Sequence, residues 1–357
     1  MTRVAFYAPM KSPDHPVPSG DRTMARALLK ALDYGGIGWD LVSTLQIRDK
    51  AGDAAAQQRL FDAAQAEAQR VIQSAQHTQW DVWVTYHSYY KAPDLVGPAV
   101  SAALNIPYIQ IEASRARKRL TGSWRRFAIA AEAATDAAHT VLYVTEQDAE
   151  ALRAYGPPHQ RLLQLRPFLA RTDLPELGTR AGPMLSVGML RYGDKLASYE
   201  LISDTLRLLQ TPDWQVVIAG DGPALNAVAS MMQDFGPRVR LRGSLDAAQM
   251  QASYADASLL FWPGVNEAFG MTYLEAQATG VPVVAQDRPG VRDVLAPGTY
   301  PPVDAGPAAM AACIDKWLAD PHARQAAGDR ARAHVAQRHL LPDASKTLCD
   351  AIAQATA

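Results

Sequence analysis

Short apolar runs alternate with longer segments of helical periodicity along the first half of the chain. The runs lie at residues 4–9, 39–44, 81–86, 106–111 and 140–145. Each is too continuous for a half-exposed strand, so we predict strands that are buried on both faces. Helical patterns occupy 21–32 and 54–76. Because strands and helices alternate, we predict right-handed crossovers and a parallel sheet.

A segment with no clear period, residues 166–182, interrupts this alternation. Prolines and glycines punctuate it, as is typical of a boundary between domains. Strand patterns resume at 184–190, 214–220, 238–243, 258–263 and 281–286, and the chain from Ala308 onward has a helical pattern. We predict an N-terminal domain at 1–170, a C-terminal domain at 183–340, and a final helix at 341–357 that packs back toward the N-terminal domain.

The order of elements predicts two doubly wound, Rossmann-like α/β domains whose parallel sheets face a cleft, with a helical C-terminal tail. Open parallel sheets bind ligands at the carboxyl ends of their strands, so we expect the ligand in that cleft. The length of 357 residues and the hydrophobic content of 48% suit two ordered globular domains. A net charge of −1 excludes a nucleic-acid binder that relies on its overall field.

The cysteine content and the hydropathy pattern indicate where in the cell the protein is located. Cys313 and Cys349 are the only cysteines, which indicates no disulfide framework and a reducing environment. No run reaches the roughly 18 apolar residues of a membrane span. The N-terminal segment lacks the features of a signal peptide. We expect a cytoplasmic protein, with attachment to the inner face of the membrane left open.

The segment 266–284, NEAFGMTYLEAQATGVPVV, carries two glutamates. Glu267 is predicted at the mouth of a helix and Glu275 in its second turn, so the pair spans at most roughly 12 Å along the axis. A nucleoside diphosphate sugar has about this reach from ribose to hexose. Free amides in the first turn favour a diphosphate, and that turn is predicted to hold Phe269, Gly270, Met271 and Thr272. The alternative is an ordinary helix-start acid and a surface glutamate.

Positive charge comes from Arg191 and Lys195, at a strand-to-helix junction in VGMLRYGDKL. We expect both at the same end of the sheet as the glutamates, where two cations offset the charge of a diphosphate leaving group. No Asp-x-Asp pair and no histidine pair at a metal spacing occurs in the chain, so we expect no metal. In the alternative interpretation these are surface charges at a solvated helix start.

The segment IAGDGP around Gly220 reads as a tight strand-to-helix turn and lacks a full dinucleotide fingerprint. It is one of five elements that follow each other along the chain. The other four are the segment around Lys195, RLRGSL at 240–245, the segment around Glu267 and EAQATGVPVV at 275–284. Their order and spacing resemble the retaining family 4 glycosyltransferases of GT-B fold, most strongly over 184–293.

This resemblance implies roles for individual residues. Glu267 would bond the hydroxyls of the donor sugar and act in catalysis, Glu275 would bond the ribose, and Arg191 and Lys195 would hold the diphosphate. The nucleotide would also meet Gly220, Arg242, Gly243, Ser244 and Leu245. The chain departs from the family at Met189, which occupies the position of the family's arginine.

In the N-terminal half the family carries the acceptor site and a glycine-bearing loop after the first strand. Gly20 would let the backbone approach the diphosphate. Glu112 stands where the family often has a histidine, and His87 ends the neighbouring strand. Either side chain would position the acceptor hydroxyl or take its proton. The alternatives are that Gly20 belongs to an ordinary surface loop and that Glu112 and His87 have structural roles.

A basic cluster with interleaved aromatic residues lies in SRARKRLTGSWRRF, residues 114–127. Its candidate membrane or acceptor contacts are Arg115, Arg117, Lys118, Arg119, Trp124, Arg125 and Arg126. Such a cluster suits an anionic membrane surface, at roughly 1 kcal/mol per basic residue. The alternatives are a solvated basic face and a site for a phosphorylated soluble acceptor.

We therefore expect a metal-independent retaining hexosyltransferase without a cofactor. Its donor would be a UDP- or GDP-sugar and its acceptor a lipid-linked molecule or a saccharide, in polysaccharide, lipopolysaccharide or glycolipid synthesis, with no nucleic-acid partner. Two alternatives remain: a sugar-nucleotide epimerase of the same fold, and a catalytically silent sugar-nucleotide-binding subunit. The epimerase would convert its donor without an acceptor, and the silent subunit would bind donor without transfer or hydrolysis.

Overall fold

The computed structural model describes residues 2–17 and 19–357. The chain divides into two compact units. The first consists of Met1–Arg166 with Leu341–Ala357, and the second is Pro167–Leu340.

A six-stranded parallel sheet forms the centre of the first unit. Its strands are β1 (Arg3–Tyr7), β2 (Gly38–Ser43), β3 (Val82–Ser88), β4 (Tyr108–Ala113), β5 (Thr140–Tyr143) and β6 (Arg161–Gln164), in the order β2-β1-β3-β4-β5-β6. Strands β1 to β5 correspond to the five apolar runs from which strands were predicted. Strand β6 was not predicted, because its residues RLLQ lie at the sheet edge and none of them is fully buried.

The helices of the first unit alternate with these strands. They are α1 (Gly20–Tyr34), α2 (Ala54–Ser74), α3 (Gly97–Leu104), α4 (Arg125–Ala137) and α5 (Glu146–Tyr155). Polar side chains accept a backbone N–H at the starts of three of them, namely Ser19, Asp53 and Thr145. These caps satisfy amides that have no partner inside the helix, which fixes where each helix begins.

The second unit contains a five-stranded parallel sheet. Its strands are β7 (Met184–Val187), β8 (Val216–Ala219), β9 (Val239–Leu241), β10 (Leu260–Phe261) and β11 (Val283–Val284), in the order β11-β10-β7-β8-β9. Its helices are α6 (Asp194–Arg207), α7 (Leu225–Met232), α8 (Ala247–Asp256), α9 (Met271–Ala278), α10 (Gly306–Ala319) and α11 (Pro321–Arg338). All five predicted strands are present in this sheet.

The last helix, α12 (Leu341–Thr356), belongs to the first unit. It packs on α1, where the hydroxyl of Ser345 donates a hydrogen bond of 2.7 Å to the carbonyl of Ala31. The C-terminal segment is therefore helical, as predicted, and is divided into α10, α11 and α12.

Each sheet has one point where the strand order reverses. In the first unit the chain moves to one side from β1 to β2 and to the other side from β3 onward, so the reversal lies between β1 and β3. In the second unit it lies between β7 and β10. Such switch points leave a crevice at the carboxyl ends of the strands, where doubly wound sheets bind ligands. The predicted two-domain, Rossmann-like fold is confirmed.

Candidate functional site

Glu267 and Lys195 meet at the switch point of the second unit. Lys195 lies in the first turn of α6, which follows β7, and Glu267 lies in the loop after β10. The Lys195 ammonium forms an ion pair with Oε1 of Glu267. The two side chains are 26% and 15% exposed, so the pair is partly shielded but open to a ligand. The fold thus joins two motifs that lie far apart in the sequence.

Further contacts fix the loop that carries Glu267 onto the start of α6. The N–H of Val265 donates to the hydroxyl of Ser198 at 3.1 Å. The amide of Asn266 donates to Oδ2 of Asp194 at 2.9 Å. Asn266 has a φ of 52°, a left-handed conformation that asparagine tolerates better than most residues. These contacts hold Glu267 in place independently of its own ion pair.

The indole of Trp262 also touches Glu267. Its N–H donates to Oε1 at 2.9 Å, and the ammonium of Lys195 lies 5.2 Å from the ring centroid. Sequence reasoning did not include Trp262 in the site. The available signal was a bulky residue with a hydrogen-bond donor at the end of a buried strand, just before the glutamate motif.

Helix α9 begins later than predicted. Phe269 and Gly270 precede it, and Met271 and Thr272 are its first residues. Gly270 has a φ of 79°, and a Cβ there would lie 2.6 Å from the ring of Tyr273. This left-handed backbone cannot belong to the helix, which is why the predicted first turn is wrong by two residues. No side chain caps α9, so its first amides remain open to an anion.

Glu275 lies in the second turn of α9 and is held by Tyr254 of α8. The Tyr254 hydroxyl donates to Oε2 of Glu275 at 2.7 Å. Burial raises the pKa of the Glu275 carboxyl, and the hydrogen bond from Tyr254 opposes that rise. Burial and the neighbouring carboxylate raise the pKa of Tyr254 well above its ordinary value. A half-buried carboxylate with a hydrogen-bond donor from a neighbouring helix suits a binding role better than an ordinary surface position.

A cavity of about 380 Å³ opens beside Glu275. Its walls come from the segment after the domain boundary, from α8 and from α9, and include Arg171, Leu245, Met250, Gln251, Tyr254 and Glu275. Leu245 is the member of the predicted base-contacting group that lines this cavity. Arg242 and Ser244 are exposed in the same loop after β9.

Gly220 and Gly243 contact each other through the backbone. The N–H of Gly220 donates to the carbonyl of Gly243 at 2.8 Å. Gly220 has a φ of 149°, and a Cβ there would lie 1.9 Å from the carbonyl oxygen of Gly188. Gly220 therefore serves the close packing of the loops after β7, β8 and β9. Its nucleotide contact stays a prediction.

Arg191 lies in the loop between β7 and α6. Its side chain is exposed and has no hydrogen bond or ion pair within the described part of the chain. The loop itself is fixed, since the N–H of Leu190 donates to the carbonyl of Asp221 at 3.0 Å. The guanidinium is thus free to reach a ligand, whereas Lys195 already engages Glu267.

In the first unit, His87 and Glu112 lie together at the ends of β3 and β4. Both have left-handed backbones, with φ of 62° and 57°. Nδ1 of His87 lies 3.0 Å from Oδ1 of Asp21 in the first turn of α1. Oε2 of Glu112 is buried and has no hydrogen-bond partner among the described atoms. The sequence analysis selected both residues but missed Asp21, which the switch point between β1 and β3 brings to them.

The charges of this cluster are coupled. Burial opposes ionisation of His87, but the carboxylates of Glu112, Asp21 and Asp148 raise the pKa of His87. Burial raises the pKa of Glu112, and the charge of His87 opposes this rise. Burial also raises the pKa of Asp148. Burial opposes the ionisation of Asp21, but its interactions with His87, a backbone hydrogen bond and the charge of Arg48 together lower its pKa. Perturbed groups at a switch point make this cluster a second candidate site.

Gly20 is the first residue of α1. A Cβ at this position would meet nothing within 4 Å. The protein itself therefore does not require glycine there, and the contact with a diphosphate stays a prediction.

The basic cluster at residues 114–127 has buried members and exposed members. Arg115 is buried, with a side chain that is 1% exposed, and pairs with Glu132 and Asp136. Trp124 is also buried, against the ring of Tyr90. The prediction of a surface contact is wrong for both residues, because Arg115 turns inward to pair with two carboxylates of α4 and Trp124 packs on Tyr90. The cluster's exposed members are Arg117, Lys118, Arg125 and Arg126, while Arg119 is half-buried over Tyr90.

The described residues contain neither a metal-binding cluster nor a membrane-spanning helix. No group of three or more His, Cys, Asp or Glu side chains within residues 2–17 and 19–357 is arranged to hold a metal ion. Within the same residues, every helix is too short or too polar to cross a membrane.

Most of the second unit is similar in sequence to known glycosyl transferases. Residues 185–334 match the family model of glycosyl transferases group 1. A GDP-mannose-dependent alpha-mannosyltransferase of Mycolicibacterium smegmatis is 34% identical over 40% of this chain and 37% of its own length. A GDP-mannose-dependent monoacylated alpha-(1-6)-phosphatidylinositol monomannoside mannosyltransferase of Corynebacterium glutamicum is 32% identical over 35% of each chain. The chain thus matches about a third of the length of these relatives.

A solved structure matches over nearly the whole chain. Anabaena HepE in complex with UDP superposes with a TM-score of 0.72 at 15% identity, covering 99% of this chain and 100% of that one. At this identity the likeness concerns the fold. Residues 185–334 thus match the family of group 1 glycosyl transferases, and the chain as a whole has a GT-B fold.

Proposed function

We propose that this chain transfers a hexose from a nucleoside diphosphate sugar to an acceptor hydroxyl, with retention of anomeric configuration and without a metal. The meeting of Glu267 and Lys195 at the switch point of the second sheet carries this proposal. Together with Glu275 in its cavity, they provide a carboxylate for sugar hydroxyls, an ammonium for a diphosphate and a carboxylate for a ribose. Each of these three groups is complementary to one part of a nucleotide sugar.

The departing diphosphate would be stabilised by charge and by oriented amides. Lys195 and the exposed Arg191 supply the cations, and the uncapped start of α9 supplies backbone N–H groups. Groups that are fixed before the reaction stabilise developing charge without reorganisation. This arrangement supports transfer without a divalent cation.

The relatives support a GDP-sugar as the first donor to test. Both mannosyltransferases named above depend on GDP-mannose, whereas the UDP-bound HepE shares only the fold. The acceptor of the Corynebacterium enzyme is a lipid, which supports a glycolipid or lipid-linked acceptor here. Such an acceptor would bring a cytoplasmic chain to the inner face of the membrane. His87 and Glu112 are the candidates to bind its hydroxyl.

Calorimetric titration with UDP-, GDP-, ADP- and TDP-sugars tests donor binding. We expect selective binding of one donor by the wild type, and Glu275→Ala should weaken it about tenfold or more, as expected for lost bonds to a charged group. Glu200→Ala, an exposed glutamate on α6, is the matched control and should bind normally. Normal donor affinity in Glu275→Ala with unchanged circular dichroism contradicts the assignment, and a wild type that binds no donor contradicts the transferase.

Product analysis separates the remaining candidates. Incubation with donor and a lipid or saccharide acceptor, in the presence of EDTA, should give a glycoside whose anomeric proton shows retention by NMR. Inversion, or a requirement for added metal, would contradict that part of the proposal. A new sugar nucleotide formed without acceptor indicates an epimerase. Donor binding with neither transfer nor slow hydrolysis indicates a silent subunit.

A further inference from the structure

Trp262 is fixed in place by its neighbours at the end of β10. Its side chain is 1% exposed. Tyr199 packs edge-on against the indole at a centroid distance of 5.3 Å, and the Tyr273 hydroxyl donates to the Trp262 carbonyl at 3.1 Å. A Cβ at Gly188 would lie 2.5 Å from the indole. Such close packing leaves the ring a single orientation.

Two donors of different character share one oxygen of Glu267. The indole N–H of Trp262 donates to Oε1 at 2.9 Å, and the ammonium of Lys195 binds the same atom. Oε2 has no hydrogen bond to the described residues. A carboxylate offers about four acceptor positions over its two oxygens. Glu267 is therefore held through Oε1 and can present Oε2 to a ligand.

The two donors would respond differently to a bound diphosphate. Lys195 ends a flexible side chain that is 26% exposed, and a diphosphate would compete with Glu267 for its ammonium. The indole of Trp262 is buried and carries a single N–H, so it stays on the carboxylate. When Lys195 turns toward the diphosphate, Trp262 keeps Glu267 in position.

We propose that Trp262 is a positioning residue for recognition of the donor sugar. Its indole N–H holds Oε1 of Glu267 so that Oε2 accepts a sugar hydroxyl. This inference rests on the proposed function, in which Glu267 contacts the sugar rather than the nucleotide. It predicts that Trp262 affects the part of the donor affinity that the sugar contributes.

The test compares nucleoside diphosphate with nucleotide sugar. Trp262→Phe removes the N–H and keeps an aromatic ring. By calorimetry, the Kd of GDP should stay within about twofold while the Kd of GDP-mannose rises about tenfold, the loss expected for a hydrogen bond to a charged group. UDP and UDP-glucose replace this pair if the wild type prefers them. Trp214→Phe is the matched control, because Trp214 is buried in the same unit against Phe235.

A double-mutant cycle distinguishes positioning from packing. In a Glu267→Ala background, Trp262→Phe should have no further effect on the Kd of the nucleotide sugar. An equal effect in both backgrounds, or an equal rise in both Kd values, shows a structural role and overturns the proposal. If Trp262→Phe does not fold by circular dichroism, Trp262→Met carries the same comparison, because methionine has no N–H donor and its flexible side chain adapts to an irregular core.

Different results overturn the proposed function and the positioning role of Trp262. A wild type that binds no nucleotide sugar of the panel, or that yields no glycoside with any acceptor, overturns the proposed function and with it the positioning role. A wild type with a sugar-dependent gain that Trp262→Phe retains overturns only the positioning role.

Discussion

The hydroxyl of Tyr254 donates a hydrogen bond of 2.7 Å to Oε2 of Glu275, which joins α8 to α9 at the wall of one cavity. This bond occupies one carboxylate oxygen and leaves Oε1, which has no hydrogen bond within the described residues, as the atom for the proposed contact with a ribose hydroxyl. Glu267 is held in the same manner by Trp262 and Lys195. Each glutamate of the motif thus has one oxygen bound by the protein.

Removing the Tyr254 hydroxyl should weaken donor binding. Tyr254→Phe retains the ring and deletes the donor, so the Kd of the preferred nucleotide sugar should rise about tenfold. Titration calorimetry measures this change. Tyr300→Phe is the control, because its hydroxyl bonds the carbonyl of Ala296 outside the cavity. Equal affinities of Tyr254→Phe and wild type would show that Glu275 needs no orienting partner.

The stability of the chain should depend on pH through Glu275. Burial raises the pKa of this carboxyl above its ordinary value of 4.5. Its contribution to folding is therefore fully present below pH 4.5 and is lost as the pH rises through the raised value. Glu275→Gln cannot ionise and should gain melting temperature relative to the wild type between pH 4.5 and pH 7. Scanning calorimetry at both pH values checks this, and a constant difference contradicts it.

The stability of the chain should also depend on pH through His87, for which the folded structure favours the charged form rather than the neutral one. Burial opposes its ionisation, but Glu112, Asp21 and Asp148 raise the pKa of His87 above 6.5. The stabilisation by the charged imidazole is present below pH 6.5 and is lost as the pH rises through the raised value. His87→Asn, which tolerates the left-handed backbone, should therefore lose more melting temperature at pH 6 than at pH 9. The exposed His159 provides the control His159→Asn.

A side chain at Gly220 should separate the loops after β7 and β8. The Cβ of Gly220→Ala would overlap the carbonyl oxygen of Gly188 at 1.9 Å, at a φ of 149°. We expect a loss of about 2–4 kcal/mol in the free energy of unfolding by urea. Gly20→Ala meets nothing within 4 Å and should be as stable as wild type or slightly more so. Wild-type stability of Gly220→Ala would show that the loops can move apart.

Arg115 and the exposed cations should respond differently to substitution. Arg115→Ala leaves Glu132 and Asp136 without their buried partner and should lower the free energy of unfolding by about 3 kcal/mol. A double substitution of exposed cations, Lys118→Glu with Arg125→Glu, should leave stability unchanged. If a membrane contact exists, the double variant should bind anionic vesicles more weakly in a sedimentation assay.

Much of the fold follows from local pattern. Apolar runs predicted ten of the strands, and eight of these are largely buried, since burial on both faces of a parallel sheet leaves a continuous apolar signal. The expected burial is wrong for β2, which is mostly half-buried because it lies at a sheet edge, and the edge strand β9 is half-buried to exposed. The position of Lys195 after one strand and of Glu267 after another predicted that they share an end of the sheet. Only the strand order shows that β7 and β10 are neighbours, and this adjacency puts the two side chains in contact.

The tertiary structure decided which side chains complete the site. Trp262 touches Glu267, Tyr254 touches Glu275 and Asp21 touches His87. The contacts of Tyr254 and Asp21 have no signature in local sequence, because each joins side chains from different elements. Trp262 precedes Glu267 by only five residues, but the sequence does not show that its indole turns toward the carboxylate. The sequence by itself determined the alternation of strands and helices and the motif that carries the glutamates. Packing determined the partners, and the same packing buried Arg115 and Trp124, whose local sequence is that of an exposed basic surface.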